Sequence, residues 1–298
     1  MRPKAHDVQR VWTVLDIVRW GTEFFERRQV DSPRLTIELM LCDVLQVRRL
    51  QLYTDHQRPL SKNELAVLRN HVQRRANHEP LQYILGKAEF YGLTFEVSPS
   101  VLIPRPETEI LVDRGIRWLR EQGRSDMRCL DIGTGSGCIP ITIATHVPDA
   151  SWLGIDIVAE AVELAAKNAR TYDVESLTSW LVQDVFVGTP EGTFDLVTMN
   201  PPYIPLSDIQ ELEPEVKQYE PHRALTDDLN GLTFYNRFAE IASGLIAPEG
   251  VALLEIGFGQ APDVEAIMHG ANLACLFILD LTGIPRIARI SVGSVTKS

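Results

Sequence analysis

Between position 7 and about position 76, apolar residues fall at helical intervals. Val8, Val11, Trp12, Leu15 and Val18 form one series, and Leu35, Leu39, Cys42 and Leu45 form a second. Ser32-Pro33 predicts a helix start, with the serine capping and the proline in the first turn. Ser61 and Glu64 have the spacing of a capping box for the next helix. The stretch has no glycine cluster and no catalytic constellation, so a small helical bundle is expected over 1–76.

The rhythm changes near Pro80. Phe90-Tyr91-Gly92-Leu93-Thr94-Phe95-Glu96-Val97 is rich in β-formers around a glycine, which predicts a hairpin inside a linker spanning 77–105. A short helix is expected near Pro106, with Glu107 and Glu109 in its first turn, where the helix dipole favours acids. From Arg128 onward, short apolar runs at 152–157, 194–199 and 251–256 alternate with helical patterns at 159–172 and 231–246. Such runs suit strands buried on both faces. The alternation predicts a doubly wound α/β sheet over 106–298, whose ligands bind beyond the carboxyl ends of the strands.

Composition narrows the class. The 298 residues suffice for one large domain or for one of ordinary size plus a smaller one, and at 45% hydrophobic and 23% charged they have the balance of a soluble globular chain. Asp16 and Arg19 interrupt the most apolar run near the start, and no apolar core leads into a cleavage site. Neither a membrane partner nor a signal peptide is therefore expected. Cys42, Cys129, Cys138 and Cys275 are scattered without metal-ligand or disulfide spacing, which predicts a cytoplasmic protein without a metal. Net charge is −11, unevenly spread. Residues 1–85 carry 14 Lys+Arg against 10 Asp+Glu, whereas the remaining 213 carry 15 against 30. So acidic a main body argues against direct binding to nucleic acid. The pairs Arg27-Arg28, Arg48-Arg49 and Arg74-Arg75 read as solvated helix faces.

Two loops carry the chemistry. Asp131-Ile132-Gly133-Thr134-Gly135-Ser136-Gly137 runs from a strand toward a helix, and alternate glycines let a ligand approach the backbone closely. Asp156 ends the next strand, 25 residues after Asp131, where a carboxylate can accept both hydroxyls of a ribose. Together these features describe an adenosine pocket. A dinucleotide site usually has G-x-G-x-x-G, with pyrophosphate on a helix N-terminus. The D-x-G-x-G-x-G spacing here resembles the S-adenosylmethionine motif instead. Asp184 then falls where such enzymes contact adenine, with Val185 and Phe186 beside the base.

The second loop is Asn200-Pro201-Pro202-Tyr203, at the end of the 194–199 strand. Two prolines make it stiff. A planar amide or aryl amine is a poor nucleophile, so methyl transfer needs its lone pair aimed along the methyl–sulfur axis. The Asn200 side-chain oxygen and the Pro201 carbonyl can each accept one N–H of that group, and Tyr203 offers a face for stacking. This motif leaves adenine, guanine and glutamine nitrogens open as targets.

Longer strings carry a resemblance that covers nearly the whole chain. They are Pro80-Leu81-Gln82-Tyr83-Ile84-Leu85-Gly86, Glu89-Phe90-Tyr91-Gly92 and Leu102-Ile103-Pro104-Arg105-Pro106-Glu107-Thr108-Glu109. The two loops follow, then Glu220-Pro221, Ala224-Leu225, Gly231-Leu232 and Leu254-Glu255-Ile256-Gly257. In these strings the chain resembles the release factor glutamine methyltransferases, also called the HemK family. The resemblance implies a class I, Rossmann-like methyltransferase sheet behind an N-terminal substrate-recognition domain. It implies S-adenosylmethionine as cofactor and, as substrate, the glutamine of the Gly-Gly-Gln motif in class 1 peptide chain release factors. It places the cofactor on Gly133, Thr134, Gly135, Ser136, Gly137, Asp156, Asp184, Val185 and Asn200, and the substrate on Asn200, Pro201, Pro202 and Tyr203. The chain is expected to act as a monomer.

Three other readings differ from this one in what the sequence must contain. A methyltransferase for a ribosomal-protein glutamine shares Asn-Pro-Pro-Tyr but lacks the full Pro-Arg-Pro-Glu-Thr-Glu string. A nucleic-acid adenine N6-methyltransferase would need a basic channel or target-recognition domain. A non-catalytic module would lose Asn200 or Tyr203. Residues 292–298 match none of these strings and are expected to fray.

Overall fold

The structure, a computed structural model, describes residues 11–293. The chain divides between Leu85 and Gly86 into two compact units. The boundary expected at 76 therefore moves. Residues 77–85 belong to the helical unit, and the hairpin opens the second unit, so 77–105 is not a separate linker.

The first unit contains α1 (Val14–Glu26), α2 (Pro33–Leu45), α3 (Arg49–Thr54), α4 (Lys62–Ala76) and α5 (Leu81–Leu85). α1 starts later than its periodicity predicts. Thr13 and Asp16 form a capping box that fixes the start at Val14, leaving Val11 and Trp12 ahead of it. Val8 lies outside the described residues. Pro33 opens α2, but Ser32 does not cap it. Ser32 is left-handed at φ 47°, and its carbonyl, not its hydroxyl, accepts the Thr36 N–H. The inward face of α2 is built on Ile37, Met40 and Leu41; of the predicted series Cys42 and Leu45 pack against the same core, whereas Leu35 is exposed. Ser61 and Glu64 form the expected box.

The arginine pairs are not all solvated faces. Arg74 binds Glu79 with two nitrogens and Arg75 is buried. Arg49, Arg34 and the Tyr53 hydroxyl all donate to buried Glu38, at 2.6, 2.8 and 2.7 Å. Burial works against ionisation of Glu38, yet these donors hold its carboxyl below the usual range.

The second unit opens with the antiparallel hairpin β1 (Lys87–Phe90) and β2 (Leu93–Glu96), whose two-residue turn is Tyr91-Gly92. It continues with α6 (Thr108–Gln122), β3 (Met127–Ile132), α7 (Cys138–His146), β4 (Ala150–Asp156), α8 (Ala159–Thr171), β5 (Thr178–Val182) and β6 (Phe194–Met199). Then come α9 (Pro214–Tyr219), α10 (Thr233–Leu245), β7 (Ile246–Glu255), α11 (Ala261–Gly270), β8 (Leu273–Leu279) and β9 (Pro285–Val292). α6 is not the short helix expected near Pro106; it runs for 15 residues. Asn168 on α8 anchors the hairpin, accepting the Glu96 N–H and donating to the Glu96 carbonyl.

The seven-stranded sheet has the order β5-β4-β3-β6-β7-β9-β8. Its first five strands are parallel, and β9 runs antiparallel to both neighbours. Alternation along β3 sends Leu130 and Ile132 to a core shared with Phe238 of α10 and Val264 of α11. Met127 and Cys129 go to an opposite core with Leu111 of α6 and Ile141 of α7. Strand order reverses between β3 and β6, opening a crevice at their carboxyl ends. The glycine loop leaves β3 there, and the Asn200 loop leaves β6. Among the described residues no helix is long and apolar enough to cross a membrane.

Candidate active site

Gly133 and Gly135 take φ values of +73° and +53°, and a Cβ on either would project into open space with nothing within 4 Å. That space belongs to a cavity of about 460 Å³. Gly133, Thr134, Gly135, Ser136, Asp156, Asp184, Val185, Asn200 and Pro202 all line it. The Asp156 carboxylate is set by backbone, with Oδ2 accepting the Gly135 N–H at 2.9 Å and Oδ1 the Val158 N–H at 3.0 Å. Burial raises its pKa, opposed by these N–H groups and by the charge of Arg223.

Val185, Phe186, Ile157 and Phe234 give the cavity an apolar side. Phe186 meets Phe234 edge to face at 5.0 Å, and Arg237 Nε fixes the loop by donating to the Val185 carbonyl. Asp184 turns its Oδ1 back to the Phe186 N–H at 2.8 Å, so it shapes its own loop as well as lining the cavity. A cradle of bare backbone, an anchored carboxylate and an apolar slot fits S-adenosylmethionine in the order methionine, ribose and adenine.

Gly137 stands apart from the other glycines. It does not line the cavity, and a Cβ there would meet Ile141 at 2.8 Å and Ala165 and Trp180 at 3.1 Å. Its role is close packing at the start of α7.

A second cavity of about 340 Å³ adjoins the first. Pro201 and Tyr203 line this one and not the first, while Asn200, Leu102, Arg105 and Ala224 line both. Asn200 Nδ2 donates to Thr108 Oγ1 at 3.1 Å, leaving Oδ1 without a partner among the described residues. The Tyr203 hydroxyl donates to Glu255 Oε1 at 3.1 Å, and Gln260 Nε2 donates to the Tyr203 carbonyl at 2.9 Å. Buried Glu220 binds Arg105 and accepts the Ile103 N–H at 3.3 Å.

Two buried acids lie behind the loops. Asp131 accepts from Thr198 Oγ1 at 2.6 Å, and burial pushes its pKa up to about 7. Glu255 is likewise pushed to about 7 by burial, with the Thr108 and Tyr203 hydroxyls opposing the rise. Sequence reading missed Thr108, Glu255, Arg105, Arg223 and Phe234 as site residues. Thr108, Arg105 and Glu255 stand in strings that carry the family resemblance, but nothing in a linear string shows that they meet Asn200 and Tyr203.

Two family descriptions match the chain, the PrmC N-terminal domain over residues 16–86 and the methyltransferase small domain over residues 109–212. A release factor glutamine methyltransferase of Geobacter sulfurreducens is 37% identical over 284 residues, 95% of this chain and 98% of its own length. The chain belongs to the release factor glutamine methyltransferase family. A second such relative, from Chlorobaculum tepidum, is 38% identical over 273 residues, 89% of this chain and 92% of its own. The hMettl16 catalytic domain, solved in complex with a 3′UTR hairpin, has the same fold. It superposes with a TM-score of 0.52 at 14% identity, covering 80% of this chain and 84% of that one. Membership in the release factor glutamine methyltransferase family makes this chain an S-adenosylmethionine-dependent enzyme with a class I methyltransferase fold.

Proposed function

We propose that this enzyme methylates the N5 amide nitrogen of the glutamine in the Gly-Gly-Gln motif of class 1 peptide chain release factors. The observation that carries the reading is the junction of two cavities at Asn200. One has the cradle and carboxylate for S-adenosylmethionine, and the other admits a side chain from outside.

When bound, S-adenosylmethionine supplies an electrophilic methyl group on a sulfonium. The residues of this chain orient the acceptor. The amide nitrogen of glutamine shares its lone pair with the carbonyl, so it reacts only when that pair is held on axis. Asn200 Oδ1, without a partner among the described residues, accepts one N–H, and the Pro201 carbonyl accepts the other. Both acceptors stabilise positive charge growing on nitrogen. Tyr203, pinned at its hydroxyl and its carbonyl, packs against the planar amide. Once alkylated, the nitrogen releases a proton to solvent, so no strong base is needed. Asp156, Val185 and Phe186 hold the nucleoside end of the cofactor.

The helical unit, 1–85, serves recognition of the protein substrate through contacts remote from the chemistry. The enzyme works in the cytoplasm, as a monomer, without contacting nucleic acid. A labelled-methyl transfer assay on intact release factor tests the proposal. Incorporation is expected on the native factor and lost when the Gly-Gly-Gln glutamine is replaced by alanine; undiminished labelling of that variant would refute it.

A further inference from the structure

We infer that Arg105 and Arg286 are substrate-binding residues, a pair of anchored guanidiniums that donate to the main-chain carbonyls around the target glutamine. The inference rests on the proposal that the second cavity receives the glutamine of Gly-Gly-Gln. Two glycines offer an enzyme no side chain to grip. Beyond the glutamine amide, such a segment presents only peptide N–H and C=O groups. A glutamine side chain is short, so these peptide groups enter the cavity with it and leave water. Each carbonyl that finds no donor there costs binding energy.

Side-chain donors in the second cavity are few. Its lining is mostly apolar, with Leu102, Ile204, Leu212 and Val216 among it. Asn200 Nδ2 is committed to Thr108, and the Tyr203 hydroxyl to Glu255. Arg105 and Arg286 remain, each held by one acid. Arg105 Nη2 donates to buried Glu220, whose other oxygen accepts the Ile103 N–H at 3.3 Å. Arg286 Nε donates to Asp280 Oδ2 at 3.1 Å, while Asp280 Oδ1 accepts the Thr282 and Ile284 N–H groups at 2.8 and 3.0 Å. Anchors fixed by backbone in this way leave each guanidinium little freedom to turn. Arg105 Nε and Nη1, and both Nη atoms of Arg286, have no partner among the described residues, and none of them is sealed off by burial. A guanidinium carries five N–H donors and no acceptor, and its bonds to carbonyl oxygens are charge-assisted. Glu220 and Asp280 offset the two charges, so the pair can hold carbonyls without repelling a sulfonium in the adjoining cavity.

The test uses the full chain, intact release factor and S-adenosylmethionine. Arg286 lines the second cavity and not the first. Arg286→Gln should therefore raise KM for release factor by about 10–100-fold, the range for losing a hydrogen bond to a charged group, with cofactor affinity within about twofold of native. The effect belongs on KM more than on kcat, because the carbonyls are held alike before and during methyl transfer. Arg286→Lys keeps the charge but loses the fork, so most of the defect should remain. Arg105→Gln alone would strand buried Glu220, so it is made together with Glu220→Gln, and this enzyme should show the same rise in KM for release factor. The deciding arm measures, by calorimetry, binding of a release factor with alanine in place of the Gly-Gly-Gln glutamine. Main-chain recognition predicts that Arg286→Gln weakens binding of this factor and of the native one equally, to within about twofold. A weakening that disappears with the alanine factor would put Arg286 on the side-chain amide and overturn the inference. So would native KM in either folded glutamine variant, or native KM in Arg286→Lys, which marks a general effect of charge. The underlying reading fails separately. A native enzyme that labels the alanine factor undiminished refutes the glutamine assignment, whatever the arginines do.

Discussion

A Cβ added to Gly231 would stand 2.1 Å from the carbonyl oxygen of Tyr203. The chain can therefore pass this point only as glycine, and Gly231 is also left-handed at φ +77°. Gln260 reaches the same spot, donating from Nε2 to the Tyr203 carbonyl and accepting the Gly257 N–H at Oε1. The loop from Asn200 to Tyr203 is thus held from behind by a gap that no side chain may fill.

Gly231→Ala should push the Tyr203 backbone out of place. Clash and left-handed strain together are expected to cost about 2–4 kcal/mol of stability. Turnover should fall more than cofactor affinity, because Gly231 does not line the cavity that we assign to the cofactor. Thermal unfolding and single-turnover rates check this, and native values for both would show that the loop yields easily.

Asp156 has a double task. It holds Gly135 and Val158 by their N–H groups and presents the carboxylate that we assign to the ribose. Asp156→Ala is expected to weaken cofactor binding by roughly 1–3 kcal/mol, the range for stranding buried polar groups. Calorimetry showing undiminished affinity would remove Asp156 from this role.

Asp131 should leave a mark on stability against pH. Its ordinary pKa of 3.8 is raised to about 7, first by burial and then by the charge of Asp156. The folded state therefore holds the proton more tightly than the unfolded one. This contribution is fully present below the ordinary pKa and is lost as pH rises through the folded value. Asp131→Asn keeps an acceptor for Thr198 but cannot ionise. From about pH 4 to pH 8 the variant should gain on the native protein by a few kcal/mol. Denaturant unfolding at several pH values measures the gap; two parallel curves would mean that Asp131 titrates normally.

Much of this was legible in the sequence because the chemistry is local. The glycine turn, Asp156 and Asn200 each end a strand whose apolar run is readable, and the doubly wound order follows from their alternation. What escaped was set by contacts across the fold. The inward face of α2 turns on which residues meet α1 and α4, and the start of α1 on a capping box between Thr13 and Asp16 that outweighed the periodicity of Val11 and Trp12. Gly137 shared the pattern of its neighbours but spends its missing side chain on Ala165 and Trp180. Thr108, Arg105 and Glu255 are far from Asn200 and Tyr203 along the chain, and only the crevice between β3 and β6 brings them together.

The division at Leu85–Gly86 sets where the helical unit can be removed. A chain beginning at Gly86 retains the whole sheet, both cavities and the hairpin. It is expected to fold and to bind cofactor with native affinity, yet to methylate intact release factor at least about tenfold less efficiently, through loss of remote binding energy. Equal kcat/KM for the short and full chains would show that the helical unit does not recognise the substrate.

The central claim is tested most directly by mass spectrometry of unmodified release factor after incubation with this enzyme and S-adenosylmethionine, with an Asn200→Ala enzyme in parallel. The account predicts one added methyl group on the glutamine of Gly-Gly-Gln with the native enzyme. With Asn200→Ala, circular dichroism should show an intact fold and the rate should fall by about 10²–10³, the cost of losing one preorganised interaction at a developing charge. A methyl group on any other residue, or an alanine enzyme as fast as the native one, would contradict it.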